Sequence, residues 1–186
     1  MKTDSKLVAL FIGAALFVSC SKTETTSHEG HSTEQSTTAN TTPVEEVKIN
    51  FGFDKFQAQT IYESYLEMKD ALVASDLNKT QMAAKQIRAS LESIGQKEGS
   101  EVIQKDVDLI ANASDIEKQR EAFYSLSRTI YALTKSVKPV DAEIYKQFCP
   151  MAFNDKGAFW LSKDKDIKNP YFGDKMLTCG VVEEKF

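Results

Sequence analysis

Residues 54–74 read DKFQAQTIYESYLEMKDALVA. Ile61, Tyr65, Leu66, Met68, Leu72 and Val73 recur at intervals of three and four, with Glu63, Glu67, Lys69 and Asp70 among the polar positions. That period gathers the apolar side chains on one face of an α-helix and rules out the alternation of a half-buried strand. Ser75-Asp76 then breaks and recaps the chain. A second helix is predicted to run to Ile94, with Leu77, Met82 or Ala83, Ala84, Ile87, Leu91 and Ile94 turned inward, and to stop at Gly95. Ser100 to Ala113 predicts a shorter third helix using Val102, Ile103, Val107, Leu109 and Ile110. Ser114-Asp115-Ile116-Glu117 has the form of a capping box. The helix it opens carries Ile116, Phe123, Leu126, Ile130 and Leu133 and ends before Pro139.

Four such helices joined by short breaks predict an antiparallel, up-and-down bundle. Met68 and Met82 read as gap-filling core residues. From Phe51 onward roughly 135 residues remain, enough for one domain with a real core. After Pro139 the period changes. Ile144 to Cys149 and Thr178 to Val182 read as two short strands or extended segments, separated by an irregular loop with Asn169-Pro170 and Gly173. The expected fold over residues 51–186 is therefore mainly α, a bundle of about four helices with a small irregular or β-like C-terminal cap.

Upstream the chain reads as an address. Lys2 and Lys6 precede the apolar run LVALFIGAALFV from Leu7 to Val18. Twelve helical residues span only about 18 Å, too short for a bilayer core of ~30 Å. Residues 1–19 therefore read as a secretory signal peptide. Ser19-Cys20, with Leu16 upstream, resembles a bacterial lipobox, which would make Cys20 a lipid attachment point. Ser21 to Pro43 is almost devoid of apolar residues and predicts a disordered tether within residues 20–50. His28 and His31, the only two histidines, lie in it and form at most a weak accessory metal site. The expected location is the cell envelope, lipid-anchored and facing the periplasm or the cell surface.

The net charge of −4 gives no electrostatic footprint for nucleic acid. No basic amphipathic stretch marks a membrane surface, so attachment would come from acylation alone. With both histidines in the tether, a Cys-His or Ser-His nucleophile pair is unavailable to the domain. A glycine-rich phosphate loop and a CxxC pair are also lacking. The chain is not expected to be an enzyme.

The chemistry concentrates in residues 145–182, YKQFCPMAFNDKGAFWLSKDKDIKNPYFGDKMLTCGVV. This stretch holds two of the three cysteines, two of the five methionines and the one tryptophan. Cys149 and Met151 flank Pro150, and Met176 and Cys179 are three apart. If the second extended segment returns beside the first, two thiolates and two thioethers converge. Such soft donors favour Cu(I) over harder ions. The alternative is a Cys149–Cys179 disulfide, natural in an exported protein and worth roughly 3–4 kcal/mol for a loop of about thirty residues. Met151 and Met176 would then pack under Phe153, Phe159, Trp160, Tyr171 and Phe172, aromatics that could also form a partner surface. The residues alone leave both readings open.

The strings Cys149-Pro150-Met151-Ala152, Gly157-Ala158, Trp160-Leu161-Ser162, Ile167, Asn169-Pro170-Tyr171-Phe172-Gly173, Met176-Leu177 and Cys179-Gly180 form a long composite motif. Together with Tyr65-Leu66, Lys69-Asp70-Ala71-Leu72, Gln119-Arg120, Phe123 and Leu126-Ser127, it resembles the Bacteroidetes domain of unknown function 3347 family. The resemblance spans about Ile61 to Val182. It implies an exported module of the kind also fused to periplasmic adaptor subunits of heavy-metal efflux pumps. Copper or silver handling, with such an adaptor or another envelope protein as partner, is what that association implies.

Overall fold

The computed structural model describes residues 49–139 and 143–186. The signal-peptide reading, Cys20, His28 and His31 lie outside the described residues. Four helices run in sequence: α1 (Lys55–Val73), α2 (Leu77–Ile94), α3 (Ser100–Ala111) and α4 (Ile116–Ser136). Three strands follow, β1 (Tyr145–Cys149), β2 (Ala158–Ser162) and β3 (Val181–Lys185), in one antiparallel sheet of order β2-β1-β3. The fold is thus the expected helical bundle with a small β cap. None of the described helices is long and apolar enough to cross a membrane.

Aspartates start three of the helices. Asp54 closes a full capping box with Gln57, and Asp76 and Asp115 accept from the backbone N–H groups of Lys79 and Lys118. The box expected at Ser114–Glu117 does not form: Asp115 and not Ser114 is the cap, and the third helical residue, Lys118, has no acceptor to return the bond. Gly95, at φ +80°, ends α2 as its position predicts.

Ile61, Tyr65, Met68 and Leu72 of α1 pack with Ile87, Ile103, Val107, Ile110, Phe123, Leu126, Ile130 and Leu133 from the other helices in one core. Two expectations for this core are corrected. Met82 is 65 % exposed and its neighbour Ala83 fills the inward position; Leu109 is 54 % exposed. In α3 the buried face runs through Ile103, Asp106, Val107 and Ile110, so the rotation that buries Asp106 turns Leu109 outward.

The cap also departs from expectation in one respect. β2 lies within the stretch read as an irregular loop, and it is the strand that packs on the bundle. All five of its residues are buried, so it carries a continuous apolar run and no alternation. The third strand begins at Val181, three residues beyond the start expected at Thr178.

Candidate functional site

The site is built at the end of β1 and on the two loops that leave and rejoin the sheet. In register, Phe148 pairs with Phe159 of β2 and with Val181 of β3, so β1 is the middle strand. Cys149, its last residue, is fully buried. Cys179 stands two residues before β3 and is half-buried. The two thiols are unbonded yet within hydrogen-bonding contact of each other. Burial, with a further contribution from Cys149, raises the Cys179 thiol from 9.0 to about 11.

Asn169 fixes the Cys179 side of this contact. Its side chain is completely buried. The amide nitrogen donates to the Cys179 carbonyl at 2.8 Å, while Oδ1 accepts from the Tyr171 backbone N–H at 2.8 Å. The Asn169 backbone N–H donates to the Leu177 carbonyl, and the Cys179 N–H donates to the Met176 carbonyl. Gly180 follows at φ +148°, and a Cβ there would stand 3.0 Å from both the Phe148 carbonyl oxygen and the Trp160 ring. Close approach of this turn to β1 is what sets the two cysteines together.

Arg120 of α4 anchors the same loop to the bundle. Nε donates to the Pro170 carbonyl at 3.0 Å, Nη2 to the Ser75 hydroxyl at 2.9 Å, and Nη1 to Glu117 at 2.7 Å. A second link is made of hydroxyls. The Tyr65 hydroxyl is bonded to Ser127 at 2.8 Å and accepts the Leu161 N–H at 3.0 Å; Tyr171 donates to the Phe159 carbonyl at 2.6 Å. Burial raises both phenols above their usual range.

The methionines take a different position. Beyond Pro150 the chain leaves β1, and Met151 is 48 % exposed. Phe153, Asn154 and Asp155 follow at φ +53°, +58° and +61°, three consecutive residues in the left-handed region, and Gly157 continues at φ +77°. Such a run costs on the order of 1–2 kcal/mol per non-glycine residue. The Phe153 ring, 5.3 Å from that of Tyr171 and 5.5 Å from that of Tyr124, helps hold it. This turn shapes one wall of an open depression of about 530 Å³. Met151 and Met176 both line it, with Phe153, Asp155, Glu117 and Arg120 among its other walls. Neither cysteine reaches that wall.

The four sulfur residues singled out in the sequence therefore separate into two sets, the neighbouring thiols of Cys149 and Cys179 and the thioethers of Met151 and Met176 on one depression. The five aromatics do not form one exposed face. Phe159, Trp160 and Tyr171 are buried, because β2 and the Asn169 turn are pressed against α4 and β1; only Phe153 and Phe172 are half-buried. Among the described residues no group of three or more His, Cys, Asp or Glu side chains gathers as a metal cage. The donor set on offer is soft sulfur. Asn169 and Arg120 were missed as site residues, although both stand in the motif strings.

The family model described as a protein of unknown function (DUF3347) matches residues 61–142. Over that stretch the chain is similar to the DUF3347 family. The DUF3347 match begins in α1, runs through α4 and ends before β1, so it covers the bundle and stops short of the sulfur pairs. No curated protein and no solved structure matches the chain.

Proposed function

We propose that this protein is a non-enzymatic binding module for a soft monovalent ion, Cu(I) or Ag(I), held by the thiolates of Cys149 and Cys179. The observation that carries this reading is the contact between two unbonded thiols, one at the end of β1 and one in the loop before β3. A pair of thiolates is a donor set that favours such ions over oxygen-seeking or imidazole-seeking ones. Each thiol would release its proton to solvent as its S–metal bond forms. Together with the lipobox at Cys20 and the tether that follows, this suggests an exported lipoprotein that buffers the ion or passes it to a heavy-metal efflux adaptor.

The test is a competition titration of the reduced full chain against a Cu(I) chelator, in a Cys20→Ser background so that two thiols remain. One equivalent is withdrawn from the chelator by this protein, and none by the Cys149→Ser/Cys179→Ser variant. Equal uptake by both proteins contradicts the proposal.

A second reading rests on the same contact. Oxidation of the pair would give a disulfide locking the Asn169 loop to β1, in a module that serves only to dock another envelope protein. Thiol counting on protein isolated without reductant distinguishes the two: no reactive thiol, together with no metal uptake after reduction, favours the disulfide.

A further inference from the structure

Two residues of α3 stand where an amphipathic pattern would not put them. Asp106 is buried and Leu109, one turn on, is exposed, and both line a single depression of about 940 Å³ between α3 and α4. The depression follows roughly two turns of each helix, from Lys105 to Ala113 and from Lys118 to Ser125, with small Ala113 and Ala122 on its wall. Among the described residues no ion pair reaches Asp106. Ser125 and Lys105 offset only part of the cost of burying it. Of the other charges on the rim, Asp108 is held by Arg88 at 3.2 Å and Lys118 by Asp115 at 3.5 Å. A carboxylate without a counter-ion costs stability in such a place, and departures of this kind from local pattern gather at functional sites.

We propose that this groove docks a helix of another protein, which presents one arginine or lysine to Asp106 from an otherwise apolar face. Charge complementarity selects the cation. A buried carboxylate that lacks a counter-ion takes a guanidinium or ammonium, whose apolar stem can lie against Leu109. The backbone selects the helix. α3 and α4 use their N–H and C=O groups on themselves, so an extended peptide in the groove finds no ladder to join, whereas a helix brings its own hydrogen bonds. Ala113 and Ala122 leave room for its backbone to come close. The cap packs on α4 and α1, and none of its residues lines the groove. The inference therefore goes beyond the metal-binding proposal and does not depend on it.

The test is isothermal titration of the full chain, with Cys20 replaced by Ser, against two designed helical peptides of alanine, leucine and glutamine. They differ at one central position, arginine in one and neutral citrulline in the other. The arginine peptide is expected to bind the parent protein at least tenfold more tightly than its twin, and that preference is expected to fall below twofold in Asp106→Asn. A urea midpoint for this variant at or above the parent's, at about pH 7, separates the loss from unfolding. Leu109→Ser is expected to weaken both peptides alike. Binding of neither peptide, equal binding of both, or a preference that survives Asp106→Asn overturns the proposal. Displacement of the arginine peptide by an equal concentration of butylguanidinium also overturns it, since the groove would then be a site for a small cation.

Discussion

The Nε–H of Arg120 donates to the carbonyl of Pro170 at 3.0 Å, joining the N-terminal part of α4 to the loop that carries Cys179. The arginine is almost entirely buried, and its remaining donors reach Ser75 at the end of α1 and the exposed carboxylate of Glu117. One side chain thus ties two helices and the cap together. Gly173 is required beside it, because a Cβ there would lie 2.5 Å from the Ser75 hydroxyl and 3.0 Å from the guanidinium.

Arg120→Leu should therefore destabilise the protein by about 2–4 kcal/mol, since it strands the Pro170 carbonyl and the Ser75 hydroxyl in a buried place. Arg120→Lys should recover little, because a single ammonium cannot reproduce a planar fork. Urea denaturation of the two variants checks both expectations.

Gly157, at φ +77°, is held there by a ring. A Cβ would stand 2.3 Å from Cζ of Phe148. Gly157→Ala should cost more than about 2 kcal/mol, adding overpacking to left-handed strain. In contrast, Asp155→Gly two residues earlier should gain roughly 0.5–1 kcal/mol by relieving φ +61°. Opposite shifts of the thermal midpoint would mark the turn as strained.

Asp106 is 4 % exposed in the groove between α3 and α4. Burial raises its carboxyl above the ordinary 3.8, against lowering contributions from Ser125 and Lys105. A raised carboxyl favours the protonated acid in the fold. Its contribution is complete below the unfolded value and is lost as pH rises through the folded one. Asp106→Asn should accordingly stabilise the protein at about pH 7 and lose that advantage near about pH 3.5, as read from urea midpoints at both.

The same sign applies to Cys179. With its thiol raised from 9.0 to about 11, the stability that it contributes is present below 9.0 and disappears as pH climbs toward 11. Tyr62, Tyr65 and Tyr171 are also raised, but their losses begin only above 10.0. Wild type should therefore lose more stability than Cys179→Ser over the single unit between 9.0 and 10.0, measured by denaturation in metal-free, reducing buffer.

The helices were legible because three- and four-residue spacing, aspartate caps and Gly95 all point the same way. Their faces were less so: buried Asp106 contradicts the rule that acids lie outside, and it alone misplaced Leu109. β2 was hidden because AFWLS is apolar on both faces and carries no period. The meeting of Cys149 with Cys179 could be anticipated from two extended segments pairing. The outward turn of Met151 could not, since it depends on left-handed geometry at Phe153, a residue whose type gives no hint of it. Asn169 and Arg120 looked like any polar residues, and only the structure gives them buried carbonyls to hold.

In the proposed function Cys149 and Cys179 together hold one soft ion. X-ray absorption at the metal edge, on full-length Cys20→Ser protein loaded with one equivalent of Cu(I), tests it most directly. A first shell made only of sulfur is expected, lost in the Cys149→Ser/Cys179→Ser variant. A shell of oxygen or nitrogen, or a sulfur shell that survives both substitutions, would contradict it.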